Sequence, residues 1–396
     1  MPEENKTNKY IKFIVIPLLV IIFIVNWVSS NITIFFNIFE KWDKIKYQKK
    51  YQKVYNDTTL NQFFLAGFMN DKKCSLKMFQ ISADKILIVG GNNGCLNRYF
   101  EIFNTQNGNF QKSKLPAKYD WERNSLLLNN NEILLNDSFI YNFQNNSFNN
   151  IFGDKKDFSK DKYSSSFQYS NNEILIKEDD KTYIYNTDTK ELKNISVKFP
   201  NLGLVNFIRM NDNNVLLYGL KYPKFSTTDI YLWNTKQNSF KKIKTKKPLS
   251  SNTTFVKLNN KEVIIFGNSY PDRNTEQLTY KINIETGKNI ELPNSLTSRK
   301  SAPVAILLSN GKIFLIGGET SETKGSMVAE LFDPKTNKYN HLATYSSLYI
   351  PARYNCKPSV IELNNKNILI CGGIYESHVS DKCIILKMEK ESDKTN

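Results

Sequence analysis

The segment that decides the fold is PVAILLSNGKIFLIGGETSETKGSMVAELFDPKTNKY, which runs from Pro303 to Tyr339. An apolar run at 304–308 meets a turn at Ser309-Asn310-Gly311, and Asn-Gly is a strong signal for a two-residue hairpin turn because both residues tolerate φ > 0. A second apolar run stops at Gly317-Gly318, and a third is followed by an Asp-Pro turn that leads to Tyr339. Four short antiparallel strands in about 45 residues are the size of one β-propeller blade.

A polar turn followed by a short apolar run recurs seven times along the chain. The runs begin about 41 to 55 residues apart, which is the spacing of propeller repeats. The period therefore predicts an all-β ring of seven blades. The seven runs begin at Ile86, Ile133, Ile174, Val215, Val263, Ile313 and Ile368.

A second periodic signal lies in the same register as the first. An aromatic residue, usually followed by Asn or Asp and then a turn, precedes another aromatic residue or Leu by seven positions. We expect these pairs on the third and fourth strands of the blades. The pairs are Phe103/Phe110, Tyr141/Phe148, Tyr185/Leu192, Trp233/Phe240 and Phe332/Tyr339.

In these motifs the chain resembles the kelch-repeat family, over about residues 57–388. Besides the aromatic pairs, the matching residues are glycine pairs at the end of the second strand, which three blades keep and four replace, as at Asn136-Asp137. The resemblance implies a seven-bladed propeller of four-stranded antiparallel blades. The kelch glycines are Gly90, Gly91, Gly317, Gly318, Gly372 and Gly373.

The last repeat has only three strands before the chain ends. The unassigned apolar segment LNQFFLAGFM, residues 60–69, lies just ahead of the first repeat. We expect residues 57–70 to supply the outer strand of the last blade, which would leave the ring without an open edge. The propeller is then residues 57–390, and a short tail follows at 391–396.

The N-terminal region suits a membrane tether. A polar tail, residues 1–10, precedes an apolar stretch, 11–30, that is long enough for a single transmembrane helix in a lipid bilayer. A cleaved signal peptide is the alternative, because lysines precede the apolar stretch. Residues 31–56 are amphipathic and basic, which suits either anionic lipid or a charged stalk.

The sequence gives opposing signals about the side of the membrane on which the propeller lies. Six lysines after the apolar stretch favour a cytoplasmic propeller, whereas an N-terminal anchor with a large trailing domain usually exports that domain. We expect a single-pass protein with an extracytoplasmic propeller. The net charge of +16 comes mostly from dispersed lysine, without the arginine and stacking aromatics of a nucleic-acid groove, so we expect no nucleic-acid partner.

The five cysteines are odd in number and too few for a disulfide framework. A hairpin centred near Ser377 would bring Cys371 and Cys383 face to face. We interpret them as two buried thiols, and a cross-strand disulfide is the alternative.

Catalytic signals are thin. His341 and His378 are too far apart in sequence for a local metal motif. Galactose oxidase, a kelch-like enzyme, builds its copper site from paired Tyr and His, but here Asn340 precedes His341. We expect no catalytic residue, metal or cofactor.

The sequence offers more candidate residues for ligand binding than for catalysis. In kelch-like domains, the loops that enter each first strand and those between the second and third strands surround the channel mouth. Arg123, Arg299 and Arg353 precede first strands, and Arg98 and His378 lie in or beside second-to-third-strand loops. A guanidinium suits carboxylate or phosphate groups. The alternative is that each arginine caps a local carboxylate or carbonyl.

These features predict a membrane-tethered kelch-type propeller that binds or scaffolds an unidentified protein or glycan through its channel-mouth loops. The alternative function is a carbohydrate-active propeller enzyme of the oxidase or sugar-epimerase type. An enzyme is the less favoured of the two classes because the catalytic signals are thin.

Overall fold

The computed structural model describes residues 63–92, 97–119, 125–128, 132–135, 137–153, 164–178, 181–221, 227–250, 253–268, 277–294, 303–318, 328–344, 357–375 and 378–388. Their regular secondary structure is entirely β, in 31 strands. The described residues include no helix with the length and apolarity needed to cross a bilayer, and the apolar stretch 11–30 lies outside them.

Seven antiparallel sheets, each built on four strands, are numbered here as blades 1 to 7, and blade 4 carries a fifth short strand. Strand β1 (Phe63–Phe68) is the first described strand. Blade 1 is β2 (Cys74–Gln80), β3 (Lys85–Asn92), β4 (Asn97–Asn104) and β5 (Phe110–Tyr119). Blade 2 is β6 (Leu126–Leu127), β7 (Glu132–Leu135), β8 (Phe139–Asn142) and β9 (Ser147–Asn150). Blade 3 is β10 (Ser164–Gln168), β11 (Glu173–Glu178), β12 (Lys181–Asn186) and β13 (Leu192–Ile195).

The remaining blades repeat this order. Blade 4 is β14 (Leu202–Arg209), β15 (Asn214–Lys221), β16 (Thr227–Asn234) and β17 (Ser239–Ile243), and the short β18 (Leu249–Ser250) also pairs with β16. Blade 5 is β19 (Thr254–Lys257), β20 (Glu262–Asn268), β21 (Gln277–Asn283) and β22 (Asn289–Glu291). Blade 6 is β23 (Val304–Leu307), β24 (Ile313–Ile316), β25 (Val328–Asp333) and β26 (Lys338–Thr344). Blade 7 contains β27 (Ser359–Glu362) and β28 (Ile368–Cys371), the separate hairpin β29 (Ile374–Tyr375) and β30 (His378–Val379), and then β31 (Lys382–Leu386).

The seven-bladed propeller fold predicted from the repeats is confirmed. Seven buried apolar clusters hold it together, and each lies between two neighbouring blades. Second strands such as β24 and β28 are buried along their whole length because blades cover both of their faces. That double burial explains why their sequences are continuous apolar runs rather than alternating ones.

The aromatic pairs lie directly opposite each other on the third and fourth strands, as the sequence predicts. Tyr141 stacks on Phe148 with ring centroids 4.6 Å apart, and Phe332 and Tyr339 lie 4.7 Å apart. Such pairs add stability beyond the apolar area that they bury. The repeated pattern is therefore a packing motif.

The turn at residues 309–311 differs in detail from the sequence prediction. The Lys312 carbonyl accepts a hydrogen bond from the Leu308 amide at 2.8 Å, so the loop between them has three residues. Gly311 alone in this loop has a positive φ, of 81°. The turn is thus a three-residue hairpin loop with glycine in the left-handed position, rather than a two-residue Asn-Gly turn.

Blade 7 takes its outer strand from the N-terminal side of the domain. Strand β1 pairs antiparallel with β31, from Phe63 opposite Leu386 to Phe68 opposite Lys382. The sheet therefore has the order β1, β31, β28, β27. Because the first described strand and the last belong to one sheet, the two ends of the propeller hold each other in place.

The backbones of blades 7 and 1 approach each other closely at the contact between the two blades, which we call the seam. The Lys73 carbonyl accepts a hydrogen bond from the Gly373 amide at 3.1 Å, and a Cβ atom on Gly372 would overlap that same carbonyl. The fully buried Lys73 amine forms an ion pair with Glu101 at 2.9 Å. Glu101 also accepts hydrogen bonds from the Asn70 amide and side chain.

The two cysteines of blade 7 form a disulfide. Cys371 and Cys383 lie directly opposite each other on β28 and β31, with Cα atoms 4.1 Å apart, and both are fully buried. The face-to-face placement expected from the sequence is confirmed. The interpretation as two separate thiols is wrong for this structure, because direct opposition brings the sulfur atoms within bonding reach.

Candidate functional site

Binding residues are expected in the segments that precede first strands and in those that join second to third strands. Strands in a blade alternate in direction, so the start of the first strand, the end of the second and the start of the third share one end. We call this end, marked by residues such as Ser164, Thr254 and Val304, the mouth end. The opposite end carries the polar turns between first and second strands, and we call it the hairpin end.

The side chains of all five candidate residues lie outside the described part of the structure. Arg98 is the second residue of β4, and His378 pairs with Tyr375 in the β29–β30 hairpin. Arg123, Arg299 and Arg353 fall in stretches that precede β6, β23 and β27 in the chain. Whether they contact a common ligand stays a prediction.

Described residues at the mouth end form a polar chain across blades 1, 2 and 3. The Lys77 amine on β2 lies 3.4 Å from the carbonyl oxygen of Ser125, just ahead of β6. Asp137 in blade 2 accepts a hydrogen bond of 2.8 Å from the Ser164 hydroxyl in blade 3. Burial lowers the pKa of Lys77, and the charge of Asp137 partly opposes that shift.

Of the residues in this polar network, Asp137 is the one that the sequence could have revealed. It occupies the position of the second glycine in the degraded pair Asn136-Asp137, and it keeps a positive φ of 53°. Asp is one of the few residues that tolerate this conformation. Unlike glycine, it places a carboxylate there, and the side chain is 1% exposed. Sequence reasoning treated the replacement as a loss of pattern and missed this gain of a buried charge.

Lys357 is a further mouth-end residue that sequence reasoning missed. It stands two residues before β27, and its carbonyl accepts a hydrogen bond of 2.8 Å from the Ser75 amide in β2. Burial lowers the pKa of its amine to about 8. No periodic signal marks the position, because the residue lies outside the repeated runs.

A separate, open pocket of about 450 Å³ lies at the hairpin end, between blades 3 and 4. Asn172, Glu173 and Asp212 contribute to its polar lining, together with Arg209, which forms an ion pair with Asp212 at 2.9 Å.

The described residues do not provide a set of metal ligands. Within the described ranges, no three His, Cys, Asp or Glu side chains lie close enough together to hold a metal ion. His341 lies on β26 of blade 6, and the side chain of His378 is outside those ranges.

Comparison with known proteins supports the fold. No protein-family model matches the chain, and no curated protein sequence matches it. Among solved structures, a fungal alcohol oxidase of the AA5 family, in complex with copper, is similar with a TM-score of 0.62 at 13% identity. The match covers 85% of this chain and 78% of the oxidase. The protein YjhT matches 82% of this chain and 97% of its own, with a TM-score of 0.48 and 9% identity. At these identities the likeness concerns the fold alone.

Proposed function

We propose that the chain is a membrane-tethered propeller that binds a protein or glycan through the mouth end of its channel. The observation that supports the proposal is the strand order of the blades. Strands β6, β23 and β27 follow the stretches that contain Arg123, Arg299 and Arg353, and each of these strands begins at the mouth end. Guanidinium groups at that end would offer donors to an anionic group.

Basic groups on described residues support the same end of the ring. Lys77 and Lys357 both stand near the starts of first strands, in neighbouring blades. A ligand carrying carboxylate or phosphate groups would therefore meet amines as well as guanidinium groups. Acidic glycans and acidic protein segments both have this chemistry, and the ligand is expected to be one of them.

The disulfide supports an extracytoplasmic propeller. Disulfides persist in oxidising compartments and are rare in the cytosol. The proposal is therefore that residues 11–30 anchor the chain in the bilayer and that the propeller lies on the outer side. Protease added to intact cells or spheroplasts should digest the propeller; complete protection that disappears on lysis would place it inside.

Affinity capture with the full-length, detergent-extracted chain tests the binding function. Replacing Arg299 and Arg353 together by Ala should reduce the captured ligand at least tenfold, because two charge-assisted contacts are removed. Arg209→Ala is the matched control, since Arg209 lies at the hairpin end. Equal capture by the double variant and the wild type would contradict the proposal.

The alternative is a carbohydrate-active propeller enzyme of the oxidase type. The observation that favours it is the shared fold with a copper-containing alcohol oxidase. The full-length chain would be supplied with copper and assayed for peroxide production on primary alcohols and sugars. Turnover that copper chelation abolishes would establish the alternative, and its absence with a copper-loaded sample would leave the binding function.

A further inference from the structure

The pocket at the hairpin end, between blades 3 and 4, has no part in the proposed function. Its volume of about 450 Å³ lies within the roughly 300–1,000 Å³ of small-molecule sites. Blade 3 supplies the turn Ser170-Asn171-Asn172-Glu173 and Asn186, and blade 4 supplies Arg209 and Asp212. All of these described lining residues carry polar side chains, so a ligand here would be held by hydrogen bonds.

The pocket lies where one side-chain position does not join neighbouring blades. Glu362, the last residue of the first strand of blade 7, accepts hydrogen bonds of 2.7 Å from the amide and the hydroxyl of Ser309 in blade 6. Lys257, at the same position in blade 5, donates to the Arg209 carbonyl of blade 4 at 2.7 Å. Arg209, at this position in blade 4, pairs instead with Asp212 of its own turn at 2.9 Å. Its side chain therefore does not bridge the gap to the turn of blade 3.

The polar groups on the blade 3 side of the pocket are held in place by hydrogen bonds within blade 3. The Ser170 hydroxyl donates to Glu173 Oε2 at 3.0 Å, and the Asn172 side chain donates to Asp188. Asn186 Oδ1 accepts from the Asp188 amide at 2.9 Å. Among the described residues, none is hydrogen-bonded to Glu173 Oε1, Asn172 Oδ1 or Asn186 Nδ2. Two acceptors and an amide donor therefore remain for a ligand, in positions fixed before it binds.

The charges of the lining disfavour a charged ligand. Glu173 places a carboxylate on the blade 3 side, and Arg209 places a guanidinium on the blade 4 side, where Asp212 neutralises it. An anion would be repelled by Glu173, and a cation would meet Arg209 across the pocket. An uncharged ligand rich in hydroxyl groups avoids both penalties. Each hydroxyl can donate and accept, which matches the carboxylate and amide groups that remain.

We propose that this pocket binds a neutral mono- or disaccharide through Glu173, Asn172 and Asn186. Arg209 lies outside these contacts because its guanidinium is bound to Asp212. The described lining residues include no aromatic ring, so we expect dissociation constants in the millimolar range. The site goes beyond the proposed function. It lies at the other end of the ring from the mouth end and takes a ligand of different charge, so either site can fail without the other.

The test is saturation-transfer-difference NMR with the full-length chain in lipid nanodiscs, which avoids detergents that have sugar headgroups. The neutral probes are glucose, galactose, mannose, N-acetylglucosamine, lactose and maltose. Glucuronate and glucosamine are the charged counterparts of glucose and N-acetylglucosamine. At least one neutral probe should give a difference signal that empty nanodiscs lack, and each charged probe should give a weaker signal than its neutral counterpart.

A substitution then places the sugar in the pocket. Glu173→Ala should weaken the binding of the neutral probe at least about tenfold, because it removes a charge-assisted acceptor. Glu262→Ala is the matched control. Glu262 begins β20 as Glu173 begins β11, and it accepts a hydrogen bond from Asn259 of its own turn at 3.0 Å. The control variant should bind the probe as the wild type does.

Absence of a signal from every neutral probe would overturn the proposal, and so would a charged probe that binds better than its neutral counterpart. Equal affinities in the Glu173→Ala and Glu262→Ala variants would also overturn it, because the sugar would then bind elsewhere. The comparison among probes uses the wild-type chain, so it does not depend on the folding of a variant. Saccharide binding combined with failed affinity capture would support the pocket and contradict the proposed function of the mouth end.

Discussion

Gly372 is the residue at which the kelch-like glycine pair has an identifiable physical reason. It has a positive φ of 73°, and a Cβ atom there would overlap the backbone carbonyl of Lys73 across the blade 7–blade 1 seam. Gly311 has a similar φ of 81°, but a Cβ atom there would meet nothing within 4 Å. Substitutions at these two glycines therefore distinguish the energetic cost of backbone strain from the cost of steric overlap.

Gly372→Ala should lower the free energy of unfolding by about 3 kcal/mol, the sum of left-handed strain and overpacking. Gly311→Ala should cost only about 1 kcal/mol, from the strain alone. Chemical denaturation of both variants measures the difference. Equal losses would mean that the contact with Lys73 does not constrain the seam.

The Lys73–Glu101 pair predicts a second residue-scale effect. Lys73→Met should destabilise the protein by about 3–5 kcal/mol, because it leaves the Glu101 carboxylate buried without its cation. Lys190→Met is the matched control, since Lys190 pairs with Glu132 at 3.3 Å but is 48% exposed, and it should change stability by less than about 1 kcal/mol. A Lys73→Met variant as stable as the control would contradict a structural role for the pair.

Sequence reasoning succeeds and fails at this scale for physical reasons. The residues that it identified well, such as Phe332 and Tyr339, repeat at a fixed spacing and pair within one blade. Lys73 and Asp137 contact side chains 28 and 27 positions away, so the seven-residue spacing of the aromatic pairs does not expose them. Among these, Asp137 left a local signal, because Asp replaces glycine where a positive φ is needed.

Among the secondary-structure elements, we expect the loss of β1, which closes the ring, to have the largest effect on stability. Removing residues 57–70 takes away β1, uncovers the edge of β31 and deletes Ala66 and Met69 from a buried cluster. The melting temperature of the full-length chain should fall by at least about 10 °C, or the cooperative transition should disappear. Removal of residues 391–396 is the control. An unchanged melting temperature after the first deletion would contradict closure by β1.

The disulfide predicts both a thiol count and a stability change. The denatured, unreduced protein should expose at most three thiols out of five, because Cys371 and Cys383 are joined. Reduction should lower the free energy of unfolding by about 3 kcal/mol, since the bond closes a short loop in the unfolded chain. Five titratable thiols in protein isolated without reductant would show that the bond does not form.

The elements themselves were largely predictable, and their finer pairing was not. Continuous apolar runs such as residues 313–316 mark second strands because both of their faces are covered. The run alone does not fix turn geometry, so the loop at 309–311 was expected with two residues and has three. Likewise the opposition of Cys371 and Cys383 followed from the hairpin, whereas bond formation depends on side-chain distance.

At the scale of the whole molecule, the proposed binding function depends on a division between the two ends of the ring. The mouth end is where strand order predicts the binding segments, and Lys77 and Lys357 stand near the starts of first strands. The hairpin end carries Asn-rich turns whose side chains mostly cap their own backbone, as Asn310 does for the Lys312 amide at 3.1 Å. The repeat pattern and the strand order suffice to predict this division. The spacing of the repeats does not specify the identity of the ligand.

The most direct test of the account is photo-crosslinking in cells from two positions that flank one strand. A photoreactive amino acid would replace Arg299, which precedes β23, or Asn310, which follows it at the hairpin end. The account predicts a crosslinked ligand from position 299 and none from position 310. Crosslinks from position 310 with none from position 299 would contradict the assignment of binding to the mouth end.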